Sequence, residues 1–179
     1  QGGQSAWRQI IRKIKEELCF VSLDAAADKV KAAESTELQK MYELPDGQTV
    51  AVNAPRFMAP EALFFPELIK EGDEVEGMHK MTFSSIQECD IDIRKDLYGN
   101  VILSGGTTLY SGLPDRLEKE LDAMCPQQNM VKIIASKDRY YSVWTGGSTL
   151  CSLSTFESQW ITKEEYEENG AEIVHRKCI

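Results

Sequence analysis

The chain alternates between stretches whose apolar residues recur every three or four positions and short runs that are apolar throughout. Trp7, Ile10, Ile11, Ile14 and Leu18 share one face of a 3.6-residue repeat, with Arg12, Lys13, Lys15, Glu16 and Glu17 around the rest. That pattern predicts an amphipathic helix. Residues 19–23 are a short apolar run that reads as a strand, and the Ala-, Lys- and Glu-rich stretch 24–40 reads as a solvated helix. Met41-Tyr42-Glu43-Leu44, the turn Pro45-Asp46-Gly47 and the alternating Gln48-Thr49-Val50-Ala51-Val52 predict a β-hairpin. Pro-Asp-Gly supplies a fixed φ followed by a residue free to take a positive one. In residues 59–69, Pro60 is expected to open a short helix that Pro66 ends. Residues 70–77 are acidic and glycine-punctuated, an exposed loop, and the phase of Ile86, Cys89, Ile93 and Leu97 predicts one helix over 83–98.

The apolar run Val101-Ile102-Leu103 then stops on Ser104-Gly105-Gly106-Thr107-Thr108. A helix follows, opened by Pro114, with Leu113, Leu117, Leu121 and Met124 at helical spacing. Adjacent glycines between a strand and a helix let the backbone turn sharply and approach something closely, with no Cβ in the way. A ligand carrying a sugar or phosphate is one occupant; a plain tight turn is the other reading. A second buried strand is expected over 131–135, and 142–153 is largely apolar around Gly146-Gly147. Thr162-Lys163-Glu164-Glu165 is a capping box, and its helix should stop at Asn169-Gly170.

Composition narrows the function. A chain of 179 residues can bury a core and suggests about one domain. The net charge of -9 argues against sequence-independent nucleic-acid binding, which needs basic surface to displace counterions, and against docking on an anionic membrane. No apolar stretch is long enough to span a bilayer, and the N-terminus has no signal-peptide pattern. It opens Gln1-Gly2-Gly3 without a methionine, which does not read as a natural start. Cys19, Cys89, Cys125, Cys151 and Cys178 are widely spread and lack a CxxC pair, so they read as reduced thiols in a cytosolic protein. His79 and His175 are far apart, and no nucleophile–base pair or metal-ligand spacing emerges. No catalytic residue and no metal ligand is assigned.

A series of longer motifs carries a resemblance. Ser104-Gly105-Gly106-Thr107-Thr108-Leu109-Tyr110, Ile133-Ile134-Ala135, Tyr141-Ser142-Val143-Trp144 with Gly146-Gly147-Ser148, Ser152-Leu153-Ser154-Thr155-Phe156 and Ile173-Val174-His175-Arg176-Lys177-Cys178 follow in order. Upstream come Lys15-Glu16-Glu17-Leu18-Cys19, Tyr42-Glu43-Leu44-Pro45-Asp46-Gly47, Pro60-Glu61-Ala62-Leu63-Phe64 and Asp90-Ile91-Asp92-Ile93-Arg94-Lys95-Asp96-Leu97-Tyr98. From about Trp7 onward the chain resembles the C-terminal half of actin. Sugar-kinase and heat-shock-chaperone ATPases of the same superfamily are the more distant comparison.

The resemblance implies an α/β, actin-like ATPase fold with ribonuclease H-like lobes around a nucleotide cleft, present only as its C-terminal half. By that resemblance residues 1–73 belong to the outer part of the large lobe, 74–141 to its inner part, and 142–179 to the small lobe. The two phosphate-binding loops of the family, each with an Asp and glycines, have no counterpart here, nor do the residues that orient the attacking water. The chain therefore reads as a fragment that exposes the apolar faces of unfinished sheets. For the full-length form, the resemblance implies a cytoplasmic, cytoskeletal, filament-forming protein. It would bind ATP or ADP with Mg²⁺ or Ca²⁺ and hydrolyse ATP slowly. An actin-related, non-polymerising scaffold subunit is the alternative, and a free fragment without activity a third reading. The partners implied are other actin subunits, profilin, cofilin- and gelsolin-type proteins and myosin, with no nucleic acid and no membrane insertion.

Site residues follow from the same matches. Lys15 and Glu16 match positions near the adenine and ribose, the alternative being a solvated pair on a helix surface. Gly105, Gly106 and Thr107 match the turn that approaches the nucleotide, and Leu109 and Tyr110 its apolar wall. Tyr140 stands where the family usually has a lysine; tyrosine would stack on the base, with Arg139 supplying a cation. Thr145, Thr149, Leu150, Leu153, Thr155 and Gln159 match a partner cleft, the alternative being an ordinary core-facing helix. Actins usually carry isoleucine at the first two and methionine at the last. A more polar groove should hold apolar helices less tightly, by about 0.8 kcal/mol per methylene lost. The acidic loop replaces an apolar filament plug, so filaments should be weaker or differently packed, because buried carboxylates need basic partners.

Overall fold

The computed structural model describes residues 2–69, 75–126 and 130–177; of residues 2–5 it describes the backbone. Most of the acidic loop (70–74) and Cys178 of the tail motif lie outside the described residues. Helix α1 (Gly2–Leu18) forms as its periodicity predicts. Its apolar stripe is covered only in part: Ile10, Ile14 and Leu18 are half-buried, whereas Trp7 and Ile11 face solvent. The run 19–23 is extended but is not a strand. It makes one parallel bridge, Phe20 to Ser111, with Val21 N–H donating to Ser111 O at 2.8 Å. Asp24 ends it by capping α2 (Ala25–Glu34), its carboxylate accepting from Ala27 N–H at 3.0 Å. The helix expected to reach residue 40 stops at Glu34, where Ser35 turns extended and its N–H and hydroxyl both bond Lys31 O.

Strands β1 (Lys40–Glu43) and β2 (Thr49–Val52) form the expected hairpin, antiparallel with Tyr42 opposite Val50. Helix α3 (Pro55–Glu61) corrects the proline reading. Pro55 opens it, in the first turn where no N–H bond is lost; Pro60 lies inside its last turn, and Pro66 opens a 3₁₀ turn (Pro66–Leu68). The single helix expected over 83–98 is two, α4 (Met78–Gln87) and α5 (Ile91–Tyr98). Arg94 braces the break: its guanidinium donates to Cys89 O and Gln87 Oε1, both at 2.9 Å, and so serves the end of α4.

Then come β3 (Val101–Ile102), a 3₁₀ turn (Gly106–Leu109), α6 (Leu113–Met124) and β4 (Ile133–Ile134), which pairs in parallel with β3. The chain closes with α7 (Ser142–Cys151), a 3₁₀ turn (Ser154–Gln159), α8 (Lys163–Asn169), a further 3₁₀ turn (Gly170–Ile173) and α9 (Val174–Lys177). The Thr162–Glu165 capping box is present, and Lys177 Nζ ties α9 back to Glu165 and Trp160 O. This is an α/β architecture with small sheets. In the two-stranded β3–β4 sheet Ile102 is 70% exposed.

The main core gathers Phe64, Ile86, Tyr98, Leu103, Leu113, Leu117, Leu121 and Val131, joined by Val21 from the N-terminal segment. His79 is part of this packing. It is buried, stacked 5.7 Å from the Phe64 ring and tilted 5.8 Å from Phe65, and its Nδ1 has no partner among the described residues. Burial holds its pKa below the ordinary 6.5; Lys80 and Arg116 push the same way, against Glu120 and Glu61. The folded state therefore takes up its proton at lower pH than the unfolded chain does. Stability from this group is complete above pH 6.5 and falls as pH drops from there toward the folded-state pKa. Urea midpoints at pH 7.5 and 5.5 should separate more in the wild type than in His79→Gln; equal separation would contradict this.

Candidate functional site

The glycine turn depends on Gly105, whose φ of +88° is open to glycine and strained for other residues. Thr108 pins the turn through its N–H (3.1 Å) and hydroxyl (2.7 Å), both donating to Gly105 O. Gly106 meets a different requirement: an added Cβ would lie 3.0 Å from Tyr140 Cε2. The missing side chain leaves room for that ring.

Two remote segments are drawn against this turn. The end of α1 is held by the Phe20–Ser111 bridge and by Arg56, which donates to Leu18 O (2.9 Å) and to Leu38 O while its guanidinium lies 5.0 Å over the Phe20 ring. Segment 139–141 is held by Arg139. Its guanidinium donates to Thr108 O and Ser136 O, each at 2.9 Å, and its carbonyl accepts from Gly105 N–H.

Between them lies a cleft of about 700 Å³. Lys15 and Glu16 line one side, Gly106, Thr107, Leu109 and Tyr110 another, and Tyr140 a third. Seven of the eight residues matched to the nucleotide thus meet in one cavity, and Gly105 sets the turn behind them. Sequence reasoning misses Arg12, Glu17, Cys19 and Ser111, which also line it. Arg12 lies about one turn before Lys15 and Glu16, and that spacing is the available signal. Glu17 and Cys19 belong to the same motif as Lys15 and Glu16, whereas Ser111 arrives through the long-range bridge to Phe20. Arg139, expected to supply a cation, is committed to backbone carbonyls; Arg12 is the guanidinium that lines the cleft.

The charges balance. Arg12 and Lys15 face Glu16 and Glu17, and Arg12 Nε bonds Glu16 Oε1 at 2.9 Å, which raises the Arg12 pKa. Burial pushes the Cys19 thiol up, and the Tyr110 phenol likewise, so both are neutral near pH 7. A rim without net positive charge is a poor cradle for a triphosphate. Leu109 and Tyr110 give this otherwise polar cleft one apolar side, which with the nearby hydroxyls suits a planar ring and a sugar.

A divalent cation does not fit these residues. Among the described residues no group of three or more His, Cys, Asp or Glu is placed to hold a metal, and the cleft's Glu16 is already paired with Arg12.

A second groove, about 520 Å³, joins Thr145, Thr149, Leu150 and Leu153 to Ser136 and Asp138. Thr155 and Gln159 lie outside its lining, exposed on the following 3₁₀ turn. Helix α7 buries none of its residues here, and Val143 (78%) and Trp144 (74%) face solvent. No helix among the described residues is long and apolar enough to cross a membrane. Compared with known protein families, residues 3–179 match the model described as Actin.

Proposed function

The chain belongs to the actin family, and from that premise we propose that its larger cleft is the base-and-ribose wall of an ATP-binding crevice in a filament-forming cytoskeletal protein. One observation carries this reading: Lys15 and Glu16, the glycine turn, and Tyr140 come from three distant parts of the chain and meet around one cavity. The ring of the nucleotide would lie along Leu109 and Tyr110, with the ribose toward Glu16 and Thr107. The balanced charge argues that the triphosphate and its Mg²⁺ or Ca²⁺ are held by other residues, so hydrolysis is proposed of the full-length form only.

Polymerisation with other subunits, a cytoplasmic location, and contacts with profilin, cofilin- or gelsolin-type proteins and myosin belong to the same proposal. The exposed α7 groove is the surface available to them, its two threonines favouring weaker apolar anchors. A second reading, a non-polymerising scaffold subunit, draws support from the aromatic residue at position 140.

Calorimetric titration with ATP is expected to give saturable one-site binding. Leu109→Asp should weaken it at least about tenfold, because ligand would press an unpaired carboxylate into an apolar wall. Leu109 is 43% exposed, so the fold should tolerate the change. The absence of saturable binding, or an unaffected variant, would sink the nucleotide reading.

A further inference from the structure

We propose that residues 63–65 and 77–79 form a proton-sensitive clasp, through which mild acid detaches the first turn of α4 while the rest of the fold holds. The clasp is a close backbone contact. Met78 N–H donates to Leu63 O at 2.9 Å. Gly77 is buried against the Phe64 carbonyl, where an added Cβ would lie 1.9 Å from the oxygen and 3.0 Å from His79 Cε1. His79 closes the joint, its ring stacked on Phe64, tilted against Phe65 and only 3% exposed. The imidazole thus ties the start of α4 to the segment that follows α3.

A protonated His79 finds its surroundings already committed. Arg116 sets a guanidinium 4.9 Å over the Phe64 ring and 6.0 Å over Phe65. The acids that act on His79 are Glu61 from α3 and Glu120 from α6, and both bond that guanidinium. Lys80, its neighbour on α4, adds repulsion. An imidazolium here is a second buried cation without a carboxylate of its own, and turning the ring out to water relieves it. That motion breaks the stack on Phe64 and frees Met78. The far end of α4 is secured separately: Ile86 lies in the core, Phe83 packs 6.4 Å from Tyr98, and Arg94 donates to Gln87. Opening therefore stays at the first turn.

Hydrogen exchange of single amides in the full chain, read by NMR and corrected for intrinsic rates, tests this. At pH 7.5 the amides of Met78 and Met81, bonded to Leu63 O and Gly77 O, should be less protected than those of Leu117 and Leu121 in the core. Between pH 7.5 and 5.5 their protection should fall several-fold, to a ceiling of about tenfold set by a released histidine of ordinary pKa 6.5. His79→Gln and His79→Phe, which take up no proton, should lose that fall, and the amides of β1 should not respond in any of the proteins. If Met78 and Met81 are as protected as Leu117 and Leu121, α4 opens only with the whole fold and the clasp is wrong. If the fall persists in a variant, another group drives it, which also overturns the proposal. Should neither variant fold, the wild type decides alone, because unchanged Met78 protection across that range contradicts the clasp.

Discussion

Arg116→Met is expected to destabilise the chain by about 3–5 kcal/mol, because it breaks a buried ion pair from one side. Arg116 and Glu61 are each only 4% exposed, and their two bonds, 2.8 and 3.1 Å, form a bidentate pair. The same guanidinium donates to Glu120 Oε1 at 2.6 Å and to Ser22 O at 2.7 Å, and lies 4.9 Å over the Phe64 ring. Burial opposes its charge, but the bonds to Glu61 and Glu120 outweigh that and keep its pKa raised. Removing the arginine strands the Glu61 carboxylate in the core, and that uncompensated charge is the main cost. The double variant Arg116→Met/Glu61→Leu removes both charges and should recover most of the loss. Urea unfolding of the three proteins checks this. A single variant within about 1 kcal/mol of wild type would show the pair to be idle. The consequence reaches the cleft, because the Ser22 carbonyl anchored by Arg116 lies next to Val21, whose bond to Ser111 holds α1 against the glycine turn.

Gly112→Ala should come second, at about 3 kcal/mol or more, combining backbone strain with a collision. Gly112 has a φ of +81°, and an added Cβ would lie 2.3 Å from the Val21 carbonyl oxygen. The neighbour is backbone and cannot rotate aside. The chain must shift at the contact that joins the N-terminal segment to the core, so nucleotide affinity should fall together with stability. Gly47→Ala is the control. Its φ of +82° is nearly the same, but nothing lies within 4 Å, so it should show the conformational strain alone, about 1 kcal/mol. Thermal melts giving equal losses for the two variants would rule out the close packing of residues 21 and 112.

What the sequence discloses is local in origin. Pro45-Asp46-Gly47 and its alternating flanks specify the hairpin without outside help, and the capping box at Thr162 needs only Glu165. The glycine turn is legible because a strand stopping on two glycines has few conformations open to it. Where pattern and structure part, the cause is a specific contact, sometimes local and sometimes distant, that apolar spacing does not record. The break between α4 and α5 is braced by the Arg94 guanidinium on residues 87 and 89, and apolar phase alone does not encode that. Residues 19–23 look like a strand because they are apolar and extended, yet one bridge to Ser111 is all the pairing they find. Pro60 resembles a helix opener only when Pro55, which takes that role five residues earlier, is overlooked. In the cleft, seven lining residues are assigned from the motifs; Glu17 and Cys19 sit in the same Lys15–Cys19 motif without being assigned, Ser111 enters through tertiary pairing, and Arg12 hides within an ordinary solvated helix face.

Hydrogen–deuterium exchange with and without saturating ATP tests the central claim most directly, because it reports where a nucleotide settles as well as whether it binds. Protection should concentrate in residues 12–19, 105–111 and 139–141, the three segments that enclose the cleft, and leave the hairpin and α8 unchanged. Protection centred elsewhere, or none in those segments at saturation, would contradict the account.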